Sequence, residues 1–298
     1  MNASIIITNW NGKNILEKNL PSVVVASKNK INRISEIIIV DDYSSDNSVE
    51  FIKKNFPEIK LICHTQNRGF AYASNHGVRM ASSKLVVLLN NDVSVSSNFL
   101  EYVFGHFKDE NIFAVSLHER GGFPATIEFK NGFLHHEPGQ KSFNATPTAW
   151  ISGGSGMFRK SIWKKLGGFD SELFVPFYWE DTDLGYRAHK HGYELLWEPK
   201  AQVIHNHETT INTGNFNIGY MNRVKERNEL LFLWKNITSK NLFRKHLRGL
   251  LSRSIKHPGY IKIIFLALRK RKLVLKRRQK EMQQSTVSDE AVFAKFNI

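Results

Sequence analysis

The 298-residue sequence carries 41% hydrophobic and 23% charged residues, 42 Lys and Arg against 27 Asp and Glu, and a single cysteine, Cys63. That length and composition exclude disorder over most of the chain and accommodate one or two domains. One cysteine excludes a disulfide framework or a thiolate zinc cluster and favours a reducing compartment.

The opening residues Met1-Asn2-Ala3-Ser4 lead straight into an apolar run without a basic leader region, which predicts no secretory signal. Ser4-Ile5-Ile6-Ile7-Thr8 then reads as a buried strand, followed by the turn Asn9-Trp10-Asn11-Gly12 and a helix from Ile15 to Ser27. A second strand, Glu36 to Val40, precedes the turn Asp41-Asp42-Tyr43-Ser44-Ser45-Asp46 and a helix to Asn55. Lys60 to Cys63 is a third strand, Ala71 to Ala81 a third helix and Leu85 to Leu89 a fourth strand. Strands apolar on both faces and spaced by helices predict an α/β fold with a parallel sheet covered on both sides. In such sheets ligands sit beyond the carboxyl ends of the strands. Three polar sets fall there: Thr8 to Asn11, Asp41-Asp42 and Asn90-Asn91-Asp92. Each alone reads as a helix cap or turn. Together, at three strand ends, they suit a divalent cation or the hydroxyls and base edge of a nucleotide. Asn9-Trp10-Asn11-Gly12 lacks the glycines of a phosphate-cradling loop, so bound phosphates would need a metal to neutralise them.

Further along, Gly121-Gly122, Pro124, Gly132 and Pro138-Gly139 predict loops between Glu119 and Pro147. Glu180-Asp181-Thr182-Asp183 opens a helix running to His191 and closed by Gly192, with Asp183 placed to pair with Arg187 at i+4. Asp181 lies in its first turn, where the helix dipole favours the ionised carboxylate.

These motifs carry a likeness. Ile5-Ile6-Ile7-Thr8-Asn9-Trp10-Asn11, Val40-Asp41-Asp42-Tyr43-Ser44-Ser45-Asp46, Asn67-Arg68-Gly69-Phe70-Ala71 with Asn75, and Leu88-Leu89-Asn90-Asn91-Asp92 resemble, in order, the motifs of glycosyltransferase family 2. The likeness continues through Gly167-Gly168-Phe169-Asp170, Tyr178-Trp179-Glu180-Asp181-Thr182-Asp183-Leu184, Gly192-Tyr193 and Val203-Ile204-His205. It implies a GT-A fold over residues 1–220, a nucleotide-sugar donor (UDP- or dTDP-linked), a divalent metal, Mn2+ or Mg2+, and inversion at the anomeric carbon. By the same resemblance Asp181 is the base and Glu180 orients it or the acceptor. Thr8 and Trp10 pack on the nucleobase, Asp41 or Asp42 accepts from its imide or from the ribose, and Arg68 approaches base or diphosphate. The family's Asp-X-Asp reads Asn90-Asn91-Asp92 here, leaving Asp92, alone or with His205, to carry the metal contact. Asn90 keeps a hydrogen bond to ribose or phosphate. His207 is a near-equal candidate to His205. The segment Trp150 to Met157 looks like the family's glycine-rich stretch, with Gly154 on the acceptor side, and Trp179 is placed to stack on a sugar ring. The expected acceptor is a glycan or a lipid-linked glycan. The rival readings are a nucleotidyltransferase, a non-catalytic glycan or nucleotide-sugar binder on the same scaffold, and a nucleic-acid binder.

The charge belongs to the C-terminal part, since residues 221–280 hold 19 Lys and Arg against two acids, Glu226 and Glu229. Phe243, Leu247, Leu250, Leu251 and Ile255, then Ile261, Ile264, Phe265 and Leu268 beyond Pro258-Gly259, recur at helical spacing. Residues 221–298 thus read as a basic amphipathic helical region, suited either to an anionic membrane surface or to docking on the main body. Lys262 interrupts the most apolar window, Tyr260 to Leu268, so no membrane span is expected. No stacking platform accompanies the charge, so nucleic acid is not the expected partner. The expected location is cytoplasmic, peripheral on the inner membrane face, and Gln283 to Ile298 is expected to be loosely held.

Overall fold

The computed structural model describes residues 1–206 and 216–296. The Ile-rich runs become strands because β-branched side chains fit a pleated surface covered on both faces. They are β1 (Ala3–Asn9), β2 (Ile34–Asp41), β3 (Lys60–Cys63) and β4 (Leu85–Asn90), with helices α1 (Lys13–Lys28), α2 (Ser48–Asn55) and α3 (Phe70–Met80) between them. All four strands pair in parallel in the order β3-β2-β1-β4, as right-handed crossovers through helices require.

Beyond β4 the sheet departs from the all-parallel expectation. The short β5 (Val93–Val95) follows, then β6 (Ile112–Glu119), β7 (Ala125–Lys130), β8 (Phe133–Pro138), β9 (Thr146–Pro147), β10 (Ser155–Arg159) and β11 (Glu194–His205). Strand β10 runs antiparallel between β4 and β6, β11 is parallel to β6, and β5 pairs antiparallel with β11. Reversal at β10 brings the start of that strand, rather than its end, to the ligand edge. The loop before Ser155 therefore meets the ends of β4 and β6.

The turn-rich stretch after Glu119 is not open loop: β7 and β8 form a hairpin turned at Asn131-Gly132, both with positive φ. Its Ile127, Phe133 and Leu134 are buried in a second core. Helices α4 (Lys160–Leu166), α5 (Glu180–Lys190), α6 (Ile218–Asn236), α7 (Lys240–Lys256), α8 (Ile261–Leu268), α9 (Arg271–Gln284) and α10 (Asp289–Ala294) complete the chain. That second core joins Trp179 and Tyr186 to Leu230–Leu233 of α6, Ile263 and Ala267 of α8, Val274 of α9 and Val292-Phe293 of α10. The basic helices are thus docked by part of their apolar residues, while Leu251, Ile255 and Phe265 stay exposed.

Docking also overturns the loose terminus expected after Gln283. Asp289 is buried in an ion pair with Lys190 Nζ at 2.6 Å and accepts the Tyr186 hydroxyl at 2.8 Å, while Phe293 packs at a tilt against Phe129 and Tyr186. Burying an acid this deeply is tolerable only with such partners.

Candidate active site

Strand register assembles the first part of the site. Thr8 lies opposite both Val40 and Asn90, and Asn9 opposite Asp41, so three strand ends present polar groups side by side. Asn9 Nδ2 donates to Asp41 Oδ2 at 2.9 Å, and Asn9 Oδ1 accepts from Asn91 Nδ2 at 2.9 Å. Asp41 also accepts the Ser44 backbone N–H at 2.9 Å and the Ser44 hydroxyl at 2.6 Å. Asp42 accepts the backbone N–H groups of Arg68 (3.0 Å) and Gly69 (2.7 Å) and faces His64 Nδ1 at 2.7 Å. Both carboxylates are buried. Asp41 and Asp42, expected to contact a base edge or ribose, thus also shape the turns that follow the two strand ends. Thr8 and Trp10 are half-buried at the mouth of this cluster, and Arg68 is exposed with its guanidinium 3.7 Å above the centre of the Tyr72 ring.

The second part gathers around His205. It ends β11 opposite Val93, one residue past Asp92, and β6 delivers Glu119 to the same place. His205 Nε2 stands 3.0 Å from Asp92 Oδ1 and Nδ1 2.9 Å from Glu119 Oε1, with the Asn90 amide 3.4 Å from Nε2. Burial disfavours a charged imidazole, but the hydrogen bonds to Asp92 and Glu119 outweigh it and push the His205 pKa up to about 9. Glu119 is the residue the motifs missed. Its signal was there, since an acid closes the apolar run Ile112 to Leu117 at a strand end. His207 lies outside the described residues.

The third part is the head of α5. Glu180 and Asp181 sit in its first turn, and desolvation raises both carboxyl pKa values, that of Glu180 to about 8 with repulsion from Asp181 adding to it. The helix terminus and the N–H groups of Thr182 and Gly153 favour ionised Asp181, but burial wins, so the dipole expectation is corrected in sign. Burial, with the neighbouring acids adding to it, keeps Glu180 protonated near neutrality.

One loop ties these parts together. Within three residues, the Gly153 N–H faces Asp181, the Gly154 carbonyl accepts the Asn90 N–H at 2.9 Å, and the Ser155 hydroxyl donates to Glu119 at 2.5 Å. A Cβ on Gly154 would stand 2.5 Å from Asn90 Nδ2, closer than any side chain tolerates. Trp179 is not on offer to a sugar: it is 7% exposed and packed between His136 and Phe232 at ring distances of 4.9 and 5.2 Å.

Asp92, His205 and Glu119 supply the oxygen and imidazole donors that a cation such as Mn2+ or Mg2+ accepts, once His205 gives up its proton. Among the described residues, no group of three or more His, Cys, Asp or Glu is arranged as a ready metal centre. A polar cavity of about 750 Å3 lies elsewhere, between Arg68-Gly69, the Gly167–Glu172 loop, Pro176 and Arg277 of α9. Its Asp170 and Glu172 carboxylates are ion-paired to Lys235 or Arg277.

The family model of glycosyl transferase family 2 matches residues 4–167, more than half of the chain. The poly-beta-1,6-N-acetyl-D-glucosamine synthase of Staphylococcus epidermidis is 32% identical over 177 residues, covering 56% of this chain and 41% of the relative. The pre-mycofactocin glycosyltransferase of Mycobacterium tuberculosis is 27% identical over 187 residues, covering 59% and 38%. The chain spans less than half the length of either. Among solved structures, GalNAc-T7 with UDP, GalNAc and Mn2+ superposes with a TM-score of 0.65 at 16% identity, over 87% of this chain and 57% of that one. Staphylococcus aureus TarS residues 1–349 in complex with UDP-GlcNAc gives 0.57 at 14% identity, over 96% and 82%. These similarities carry the fold, which is GT-A, as the motifs implied.

Proposed function

The chain belongs to glycosyl transferase family 2, and we propose that it is an inverting transferase that moves one sugar from a nucleoside diphosphate donor to a hydroxyl of a glycan or lipid-linked glycan. The observation that carries this reading is the loop Gly153–Ser155, which touches the base candidate on one side and the Asn90–Glu119–His205 cluster on the other.

Asp181 takes the proton of the acceptor hydroxyl as its oxygen bonds to the anomeric carbon. The bond from that carbon to the diphosphate oxygen breaks on the opposite face, the nucleoside diphosphate leaves with the electron pair, and configuration inverts. Glu180, protonated near neutral pH, orients the acceptor by donating a hydrogen bond. Thr8, Trp10 and Arg68 hold the base side of the donor, and Asn90 the ribose or phosphate. Asp92 and His205 are the residues that would hold a divalent cation, whose chemistry is to neutralise the leaving diphosphate. The donor is a UDP- or dTDP-sugar.

A panel of nucleotide sugars, assayed for transfer and for thermal stabilisation with and without Mn2+, tests this reading. Stabilisation and sugar release by at least one donor, lost on chelation, is the expected result. Donor binding without any turnover across acceptors would instead favour a binding protein, the reading that the loss of the first acid at Asn90 supports.

A further inference from the structure

Docking of the basic helices leaves exposed apolar residues on them unexplained. Helix α7 buries Leu242 and His246 and turns outward a stripe of Leu247, Leu251 and Ile255, the latter two 64% and 70% exposed. Helix α8 buries Ile263 and Ala267 and turns outward Ile261, Phe265 and Leu268, with Phe265 64% exposed. Isolated surface aliphatics are ordinary, but two consecutive helices each carrying a full stripe are not.

The cations fall on the same sides. At about 100° per residue, exposed Lys240, Arg244 and Arg248 share the sector of the α7 stripe, and exposed Lys262 and Arg269 share that of α8. From residue 230 to 280 the sequence contains no Asp or Glu. Mixed aliphatic and cationic sectors match an anionic bilayer, where the aliphatic groups enter the acyl boundary and long basic side chains reach up to the phosphates. A nucleic acid would use the charge and leave Leu251 and Ile255 without a role. A second copy would set this acid-free face against itself, cation against cation.

We infer that the outward faces of α7 and α8 form a docking surface for an anionic lipid bilayer, on which the protein lies peripherally. Among the described residues no helix is long and apolar enough to cross a membrane, so the contact is interfacial. The inference is independent of sugar transfer, and its test uses no donor or acceptor.

Co-sedimentation of the full chain with vesicles of phosphatidylglycerol and phosphatidylcholine (roughly 1:2), and with phosphatidylcholine alone, reads the surface directly. The chain is expected to pellet with the anionic vesicles, to release as salt screens the headgroups, and to stay in solution with the neutral ones. The triple variant Leu251→Glu, Ile255→Glu, Phe265→Glu changes only exposed positions, so its circular dichroism and Tm should match the parent, while its partitioning falls about tenfold or more. Failure of the parent to bind anionic vesicles at low salt overturns the inference. So does undiminished binding by the folded triple variant, or binding to duplex DNA or RNA that the triple variant retains along with its vesicle affinity.

Discussion

Helix α5 carries three acids, Glu180, Asp181 and Asp183, in opposite electrical circumstances. Asp183, with Asp170 beside it, is enclosed by cations: Lys235 Nζ lies 2.9 Å from Asp183 and 3.0 Å from Asp170, Arg187 Nε 2.7 Å from Asp183 and Arg277 Nε 3.0 Å from Asp170. Burial alone would raise Asp170, but Lys235 and Arg277 hold its carboxyl below the usual carboxylate range. Glu180 and Asp181, one turn or less away, form no ion pair among the described residues and are pushed upward by desolvation. Compensated burial fixes a structure, and uncompensated burial keeps a proton acceptor basic. Besides Arg187 of α5 itself, the cations come from α6 and α9, so the C-terminal helices lock the helix that presents the proposed base.

The contrast can be broken from either end. The largest effect is expected from Asp181→Asn, which removes the acceptor of the hydroxyl proton and should lower turnover by roughly 10²–10⁴-fold, read as initial rates at saturating donor. Lys235→Met comes next, because it leaves Asp170 and Asp183 buried with one cation fewer. A loss of about 3–5 kcal/mol, or a Tm fall on the order of 10 °C, is expected by calorimetry. Gly154→Val forces Asn90 away from the loop and should cut kcat/KM by roughly tenfold or more at nearly unchanged Tm, since a small misplacement at the reacting centre is costly.

The smallest effect has the clearest sign. Glu180 has a folded-state pKa of about 8, above the ordinary carboxyl value of 4.5. Between those values the unfolded chain ionises this group while the fold keeps its proton, so the group costs stability that grows as pH rises toward 8. Glu180→Gln should therefore raise Tm at pH 8, by roughly 2–4 °C for each kcal/mol recovered, and leave it unchanged at pH 4. A gain at pH 4 as large as at pH 8 would show that ionising this buried carboxyl is not the cause.

The unequal legibility of these two regions has a physical basis. The strands and helices up to Asn90 were readable because each buries its own apolar residues within a short window, and the Asp183–Arg187 pair was readable because i+4 spacing places both on one helix face. The antiparallel insertion of β10, and with it the loop that joins Gly153, Gly154 and Ser155 to two distant clusters, depends on strand order, which no local window contains. The same holds for Lys235, 52 residues from Asp183, and for Glu119, 86 residues from His205. Asp181 was legible as a residue and misread in its electrostatics. Its position at a helix N-terminus is local information, whereas its desolvation is a property of the assembled fold.

In the proposed mechanism Asp181 handles the proton and the Asp92–His205 cluster handles the donor. Titration calorimetry of a nucleotide-sugar donor with Mn2+ present, run on Asp181→Asn and Asp92→Ala, tests that division most directly. Affinity close to the parent in the first variant and a loss of about tenfold or more in the second is the predicted outcome. Equal affinity in both variants, or a loss confined to Asp181→Asn, would contradict it.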